Sequence, residues 1–118
     1  MIHLVVGPVG AGKSTHARAL CREHHAIRLT LDEWMTNLFR PDRPETGVIE
    51  WYVERAQRCV DQIWRITEEL LAHGTDVVLE IGLIQRSERA RLYARVDAAG
   101  HPLTVHVIDA PRDVRRDR

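Results

Sequence analysis

An α/β fold, three layers deep around a mainly parallel sheet of about four strands, is what this sequence predicts. Three observations carry the prediction. Short apolar runs alternate with longer periodic stretches four times along the chain. Each apolar run ends abruptly at a glycine or a polar residue, as strands buried on both faces of a parallel sheet do. A glycine-rich octapeptide, Gly7-Pro8-Val9-Gly10-Ala11-Gly12-Lys13-Ser14, joins the first run to the first periodic stretch.

Residues 2–6 (Ile-His-Leu-Val-Val) read as the first strand, stopped by Gly7. From Lys13 to about His24, the residues Ala17, Leu20 and Cys21 fall at helical spacing. Ala26 to Leu31 alternates into a second strand, and Asp32 then stands as the N-cap of a short helix beginning near Trp34. The polar stretch from Arg40 to Glu45, with prolines at 41 and 44, is expected to be a surface loop. The longest periodic segment spans about Thr46 to His73. Tyr52, Ala56, Cys59, Val60, Ile63, Ile66 and Leu70 mark one face of it, and Gly74 closes it. Asp76 to Ile81 is a third strand, followed by Gly82. Ser87 is placed to cap a helix that reaches Ala99 and ends at Gly100. Pro102 to Ile108 is a fourth strand, and Asp109-Ala110-Pro111 leads into a last helix.

At 118 residues and 13.6 kDa, the expectation is a single domain over 1–118. With 44% apolar and 29% charged residues, the composition is that of an ordinary globular protein. Lys+Arg and Asp+Glu both number 17, a balance that argues against a general binder of nucleic acid or of anionic membranes. No apolar run approaches the roughly 18 residues that a membrane span needs. A strand starting at Ile2 leaves no room for a signal peptide, and Cys21 and Cys59 fall in helical stretches as small apolar residues; a cytoplasmic location is expected. The seven histidines show no metal-ligand spacing in sequence and read as surface or packing residues.

The octapeptide matches G-x-x-x-x-G-K-[ST] position by position, after an apolar strand and before an amphipathic helix, the context this motif requires. Gly7, Gly10 and Gly12 let the backbone of Gly7-Pro8-Val9-Gly10-Ala11-Gly12 curl tightly and turn its N–H groups inward as an anion nest. The helix beginning at Lys13 adds unpaired N–H groups and a positive dipole end. Lys13 supplies a point charge for the β- and γ-phosphates, Ser14 a hydroxyl for Mg²⁺, and Thr15 a hydroxyl for the α-phosphate. Lys13 is the only lysine among the 17 basic residues, kept where a phosphate loop needs it.

With that loop, Leu29-Thr30-Leu31-Asp32-Glu33-Trp34, Val77-Val78-Leu79-Glu80, Arg86-Ser87-Glu88-Arg89 and Ile108-Asp109-Ala110-Pro111 give a pattern that resembles the P-loop kinase-like families. These comprise zeta-toxin-like kinases, chloramphenicol phosphotransferase and related small AAA-family ATPases. The resemblance implies a P-loop NTPase sheet of strand order 2-3-1-4-5, with ATP and Mg²⁺ at the carboxyl ends of the strands. It implies that Asp32 contacts the acceptor hydroxyl and takes its proton, that Trp34 walls the acceptor pocket, and that Arg86 or Arg89 faces the acceptor or its phosphate. It also implies that Glu80 holds a Mg²⁺-bound water. The chain departs from the pattern at Glu80, where three apolar residues precede a glutamate instead of four preceding an aspartate. It departs again at Arg115, Arg116 and Arg118, which fall where an arginine-bearing lid would begin, so a truncation at the lid is expected.

The function expected is therefore an ATP-dependent kinase acting on a hydroxyl of a small molecule. A nucleotide-binding or ATP-hydrolysing module without an acceptor is the alternative, and polynucleotide and nucleotide-sugar kinases are sub-cases. A GTPase is disfavoured, because the guanine-reading Asn-Lys-x-Asp motif needs a second lysine. The oligomeric state is not legible.

Overall fold

The computed structural model describes residues 1–7, 12–81 and 86–108, with the side chains of all of these except 86–89. Pro8, Val9, Gly10 and Ala11, Gly82, the helix expected after Asp109, and the side chains of Arg86 and Arg89 lie outside what is described. The elements run β1 (Ile2–Val6), α1 (Lys13–His24), β2 (Ile27–Thr30), α2 (Leu31–Leu38), a 3₁₀ turn (Arg40–Asp42), α3 (Val48–Ala72), β3 (Val77–Glu80), α4 (Arg86–Ala99) and β4 (Leu103–Val107). The strands form one parallel sheet in the order β2-β3-β1-β4, which is the order the resemblance implied for its first four strands.

Alternation along each strand divides the side chains between two layers. Ile2 and Leu4 of β1, Leu29 of β2, and Val77 and Leu79 of β3 enter one core with Met35, Cys59, Ile63, Leu92 and Val96 from α2, α3 and α4. Val5 and Val78 point the other way, into a smaller core with Ala17 and Leu20 of α1. Both faces of β1 and β3 are thus dry, which is why those strands are continuously apolar apart from His3 and the final Glu80.

Several boundaries differ from those the sequence predicts. β2 runs into α2 with no connector, so Thr30 is the N-cap residue and Asp32 lies inside the first turn. A carboxylate there still faces the positive end of the helix, but it is not the cap. Ser87 likewise lies within α4. Part of the expected proline loop is the 3₁₀ turn, and α3 starts after Gly47, whose φ of 66° places it in the left-handed region. Tyr52 is 41% exposed and so stands off the buried face of α3, which centres on Cys59, Ile63 and Thr67. No described helix is long and apolar enough to cross a membrane.

Gly7 is needed for a reason its motif does not reveal. The N–H of Ile108 donates to the Val6 carbonyl at 2.8 Å, and a Cβ at position 7 would meet the Ile108 carbonyl oxygen at 2.3 Å. Because backbone cannot rotate away as a side chain would, Gly7→Ala is expected to destabilise the domain by about 1–3 kcal/mol. A urea melt reads this as a lowered midpoint at unchanged slope. At Gly12 the opposite holds: there is open space around the Cα, but φ is +88°, so glycine is required by conformation.

Candidate functional site

The carboxyl ends of β1 and β3 open toward the N-terminus of α1. β1 is an interior strand, so the loop that follows it emerges between neighbours and not at the edge of the sheet. Gly12 turns the chain into the helix in a left-handed conformation, with no side-chain cap and no acidic residue in the first turn. The free N–H groups of that turn and its partial positive charge therefore face the loop uncompensated. Lys13 is half-buried, and its ammonium has no hydrogen bond or ion pair among the described residues. Thr15 is exposed on the same turn.

Ser14 and Glu80, 66 residues apart, come together: the Ser14 hydroxyl donates to Glu80 Oε1 at 2.8 Å. The other carboxylate oxygen accepts from Arg28, at 2.9 Å from Nε and 2.8 Å from Nη2. Arg28 Nη1 reaches on to Glu33 at 3.0 Å. Register explains the meeting. Arg28 pairs with Val78 and Thr30 with Glu80, so Arg28 and Glu80 project from the sheet face that carries α1. The Arg28 and Glu80 side chains are only 17% and 10% exposed. Burial opposes the charge on Arg28, and its bonds to Glu80 and Glu33 outweigh that, so its pKa is raised. A buried ion pair of this kind is tolerated only because each partner's charge is met by the other and by hydrogen bonds.

A hydroxyl beside a carboxylate is a hard-oxygen donor set that suits Mg²⁺ and its waters. Both Glu80 oxygens are already engaged, one by Ser14 and one by Arg28, which fits contact through a metal-bound water better than direct ligation.

Asp32 sits at the end of β2, with β3 between that strand and β1, so it is one strand further from the phosphate loop than adjacency would have it. It is exposed and lines a cavity of about 430 Å³ between α2, the 3₁₀ turn and the start of α3. Met35, Thr36, Arg40, Arg43, Val48, Ile49, Trp51 and Tyr52 complete the lining. Trp34 does not reach it; its ring is half-buried against the main core. Trp51 takes the aromatic position instead, with Arg55 stacked 4.7 Å from its ring. Arg40 and Arg43 are exposed and form no ion pair among the described residues. Arg28, Arg40, Arg43 and Trp51 are the site residues that sequence reasoning missed. The signal available for Arg28 was a charge within an otherwise apolar strand; for Arg40 and Arg43 there was only a polar loop following Asp32.

A family model described as an AAA domain, AAA_33, matches residues 2–118. The chain belongs to that family. AAA_33 is a P-loop kinase-like family, and the four-strand parallel sheet matches that of structurally similar P-loop kinases. This AAA_33 chain is 33% identical over 98 residues to a guanylate kinase of Cupriavidus metallidurans, a match covering 68% of the chain and 44% of the relative. It thus spans less than half the length of that curated relative. Among solved structures, a chain of the Pnkp1/Rnl/Hen1 complex superposes with a TM-score of 0.69 at 22% identity, over 99% of this chain and 38% of that one. The Mycobacterium tuberculosis APS kinase CysC superposes with a TM-score of 0.63 at 20% identity, over 94% of this chain and 79% of that one. At these identities the structural likeness concerns the fold.

Proposed function

We propose that the chain is an ATP-dependent phosphotransferase whose acceptor is a hydroxyl of a small, anionic molecule. The observation that carries this reading is the Lys13 ammonium, without a partner among the described residues, at a helix N-terminus with no side-chain cap, beside the Ser14–Glu80 pair. Lys13 and the N–H groups of residues 7–15 hold the β- and γ-phosphates and neutralise charge as the phosphoryl group moves. Ser14 and Glu80 would hold Mg²⁺, which would supply positive charge at the phosphates. Arg28 holds one Glu80 oxygen and so orients the other toward Ser14.

Asp32 orients the acceptor hydroxyl and accepts its proton. The acceptor oxygen forms a bond to the γ-phosphorus as the bond to the ADP oxygen breaks. The cavity behind Asp32 supports an anionic, nucleotide-like acceptor, since Arg40 and Arg43 suit a phosphate or carboxylate and Trp51 offers a ring face. The name of the guanylate kinase relative points to a nucleotide acceptor, which supports the anionic, nucleotide-like part of this reading. Membership of the zeta-toxin or chloramphenicol phosphotransferase subgroup, and polynucleotide or nucleotide-sugar acceptors, are narrower forms of the same reading. Arg86 and Arg89 remain candidates for the acceptor's phosphate, and a cytoplasmic setting suits an ATP-consuming enzyme.

Asp32→Asn separates a kinase from a nucleotide binder. It is expected to leave ATP affinity within about twofold and to lower transfer to the acceptor hydroxyl by roughly 10²–10⁴-fold, the usual contribution of a general base. Equal turnover in the variant, measured as ADP formed, would overturn the role given to Asp32.

A further inference from the structure

At the amino end of the sheet, away from the phosphate loop, lies a cluster that neither the motif nor the proposed reaction uses. His3 is the second residue of β1, His24 ends α1, and Asp76 immediately precedes β3. One ligand atom of each lies within 4.8 Å of the other two. The rings of His3 and His24 stack with centroids 4.6 Å apart, and His3 Nε2 faces Asp76 Oδ2 at 3.9 Å, too long for a hydrogen bond.

His3 is only 5% exposed, and its Nε2 is a buried polar atom without a hydrogen-bond partner among the described residues. Leaving such an atom unsatisfied is costly, and native structures rarely do so without a use for it. Its other ring nitrogen is engaged, with Nδ1 3.1 Å from His106 Nε2, and His106 Nδ1 is 3.4 Å from His16 Nε2. With the Nδ1 proton directed at His106, the lone pair of His3 lies on Nε2, aimed at His24 and Asp76. Histidines that ligate metals are held by an outer partner in this way.

We infer that His3, His24 and Asp76 form a binding site for a divalent transition metal of the Zn²⁺ class. Two imidazoles and a carboxylate are the donors such an ion selects over Mg²⁺, and three protein ligands leave a fourth position for water. Donors about 2.1 Å from a shared tetrahedral ion are about 3.4 Å apart, a small contraction that side-chain rotation supplies. His24 and Asp76 are 36% and 32% exposed, which gives the ion a way in. Burial, followed by the nearby His24 and His106, lowers the His3 pKa. The Asp76 carboxylate opposes that shift and also accepts from the Met1 amino group at 3.3 Å through Oδ1, which leaves Oδ2 for the metal.

The test is calorimetric titration of the chelator-stripped full chain with ZnCl₂, with melting temperature recorded in parallel. One Zn²⁺ per chain and a rise of several degrees in Tm are expected. His24→Ala and Asp76→Asn, chosen because both side chains are partly exposed, should each weaken binding at least about tenfold, the loss that removing even an outer partner brings. His25→Ala, next to the site but outside it, should bind as the wild type does. In the wild-type chain the imidazole NMR signals of His3 and His24 should shift with the first equivalent, while those of His73 and His101 stay put. No uptake of Zn²⁺, wild-type affinity in both variants, or shifts confined to other histidines would each overturn the site.

Discussion

Lys13→Ala is expected to reduce phosphoryl transfer by about 10²–10³-fold, the loss that follows removal of one preorganised charge-stabilising group. Among the described residues no neighbour can substitute. Lys13 is the only lysine, and Arg28, whose guanidinium lies 3.5 Å from the Ser14 hydroxyl, is tied to Glu80 and Glu33. Structure and chemistry separate cleanly here, because Lys13 makes no hydrogen bond or ion pair among the described residues and its loss should leave the melting temperature within a few degrees. Lys13→Arg should recover little, since a planar fork on a longer stem does not replace a compact ammonium at the β- and γ-phosphates. ADP release measured alongside thermal melts checks both halves of the prediction.

Arg28→Ala should cause the largest loss of stability, about 3–5 kcal/mol, because it strands the Glu80 carboxylate in a nearly dry position. The arm to Glu33 adds little, since that carboxylate is 59% exposed and screened by solvent. Arg28→Met combined with Glu80→Leu should be considerably more stable than Arg28→Ala alone, since no buried charge is then left unpaired. Urea melts of Arg28→Met, Glu80→Leu and the double variant give the coupling energy directly. Additive effects of the two substitutions would mean that the pair is not a buried unit.

The contrast between these two residues shows what was legible in the sequence. The predicted bounds of the first strand and first helix, 2–6 and 13–24, are those of β1 and α1, because a buried apolar run and a helix opening at a glycine are local signals. The order of the first four strands followed from the resemblance. What escaped were features made by residues far apart in the chain. Arg28 gains its meaning from Glu80, 52 positions away, and only once β2 is known to lie beside β3. Gly7 is constrained by the carbonyl of Ile108, which packs against it from the other side of the sheet's centre. The start of α2 was displaced because Asp32 is a good cap by type, whereas β2 continues into the helix at Leu31 and removes the connector a cap would occupy. Arg40 and Arg43 looked like ordinary loop charges until the 3₁₀ turn set them around the same cavity as Asp32. The histidines, unremarkable by spacing, meet because α1 folds back along β1 and β4.

Nucleotide binding by residues 7–15 underlies every step proposed for this chain, and titration calorimetry with ATP tests it most directly. The expected result is one ATP bound per chain, with affinity falling when Mg²⁺ is chelated and falling again when Lys13 is alanine. ATP binding of equal strength in wild-type and Lys13→Ala protein, with or without Mg²⁺, would contradict it.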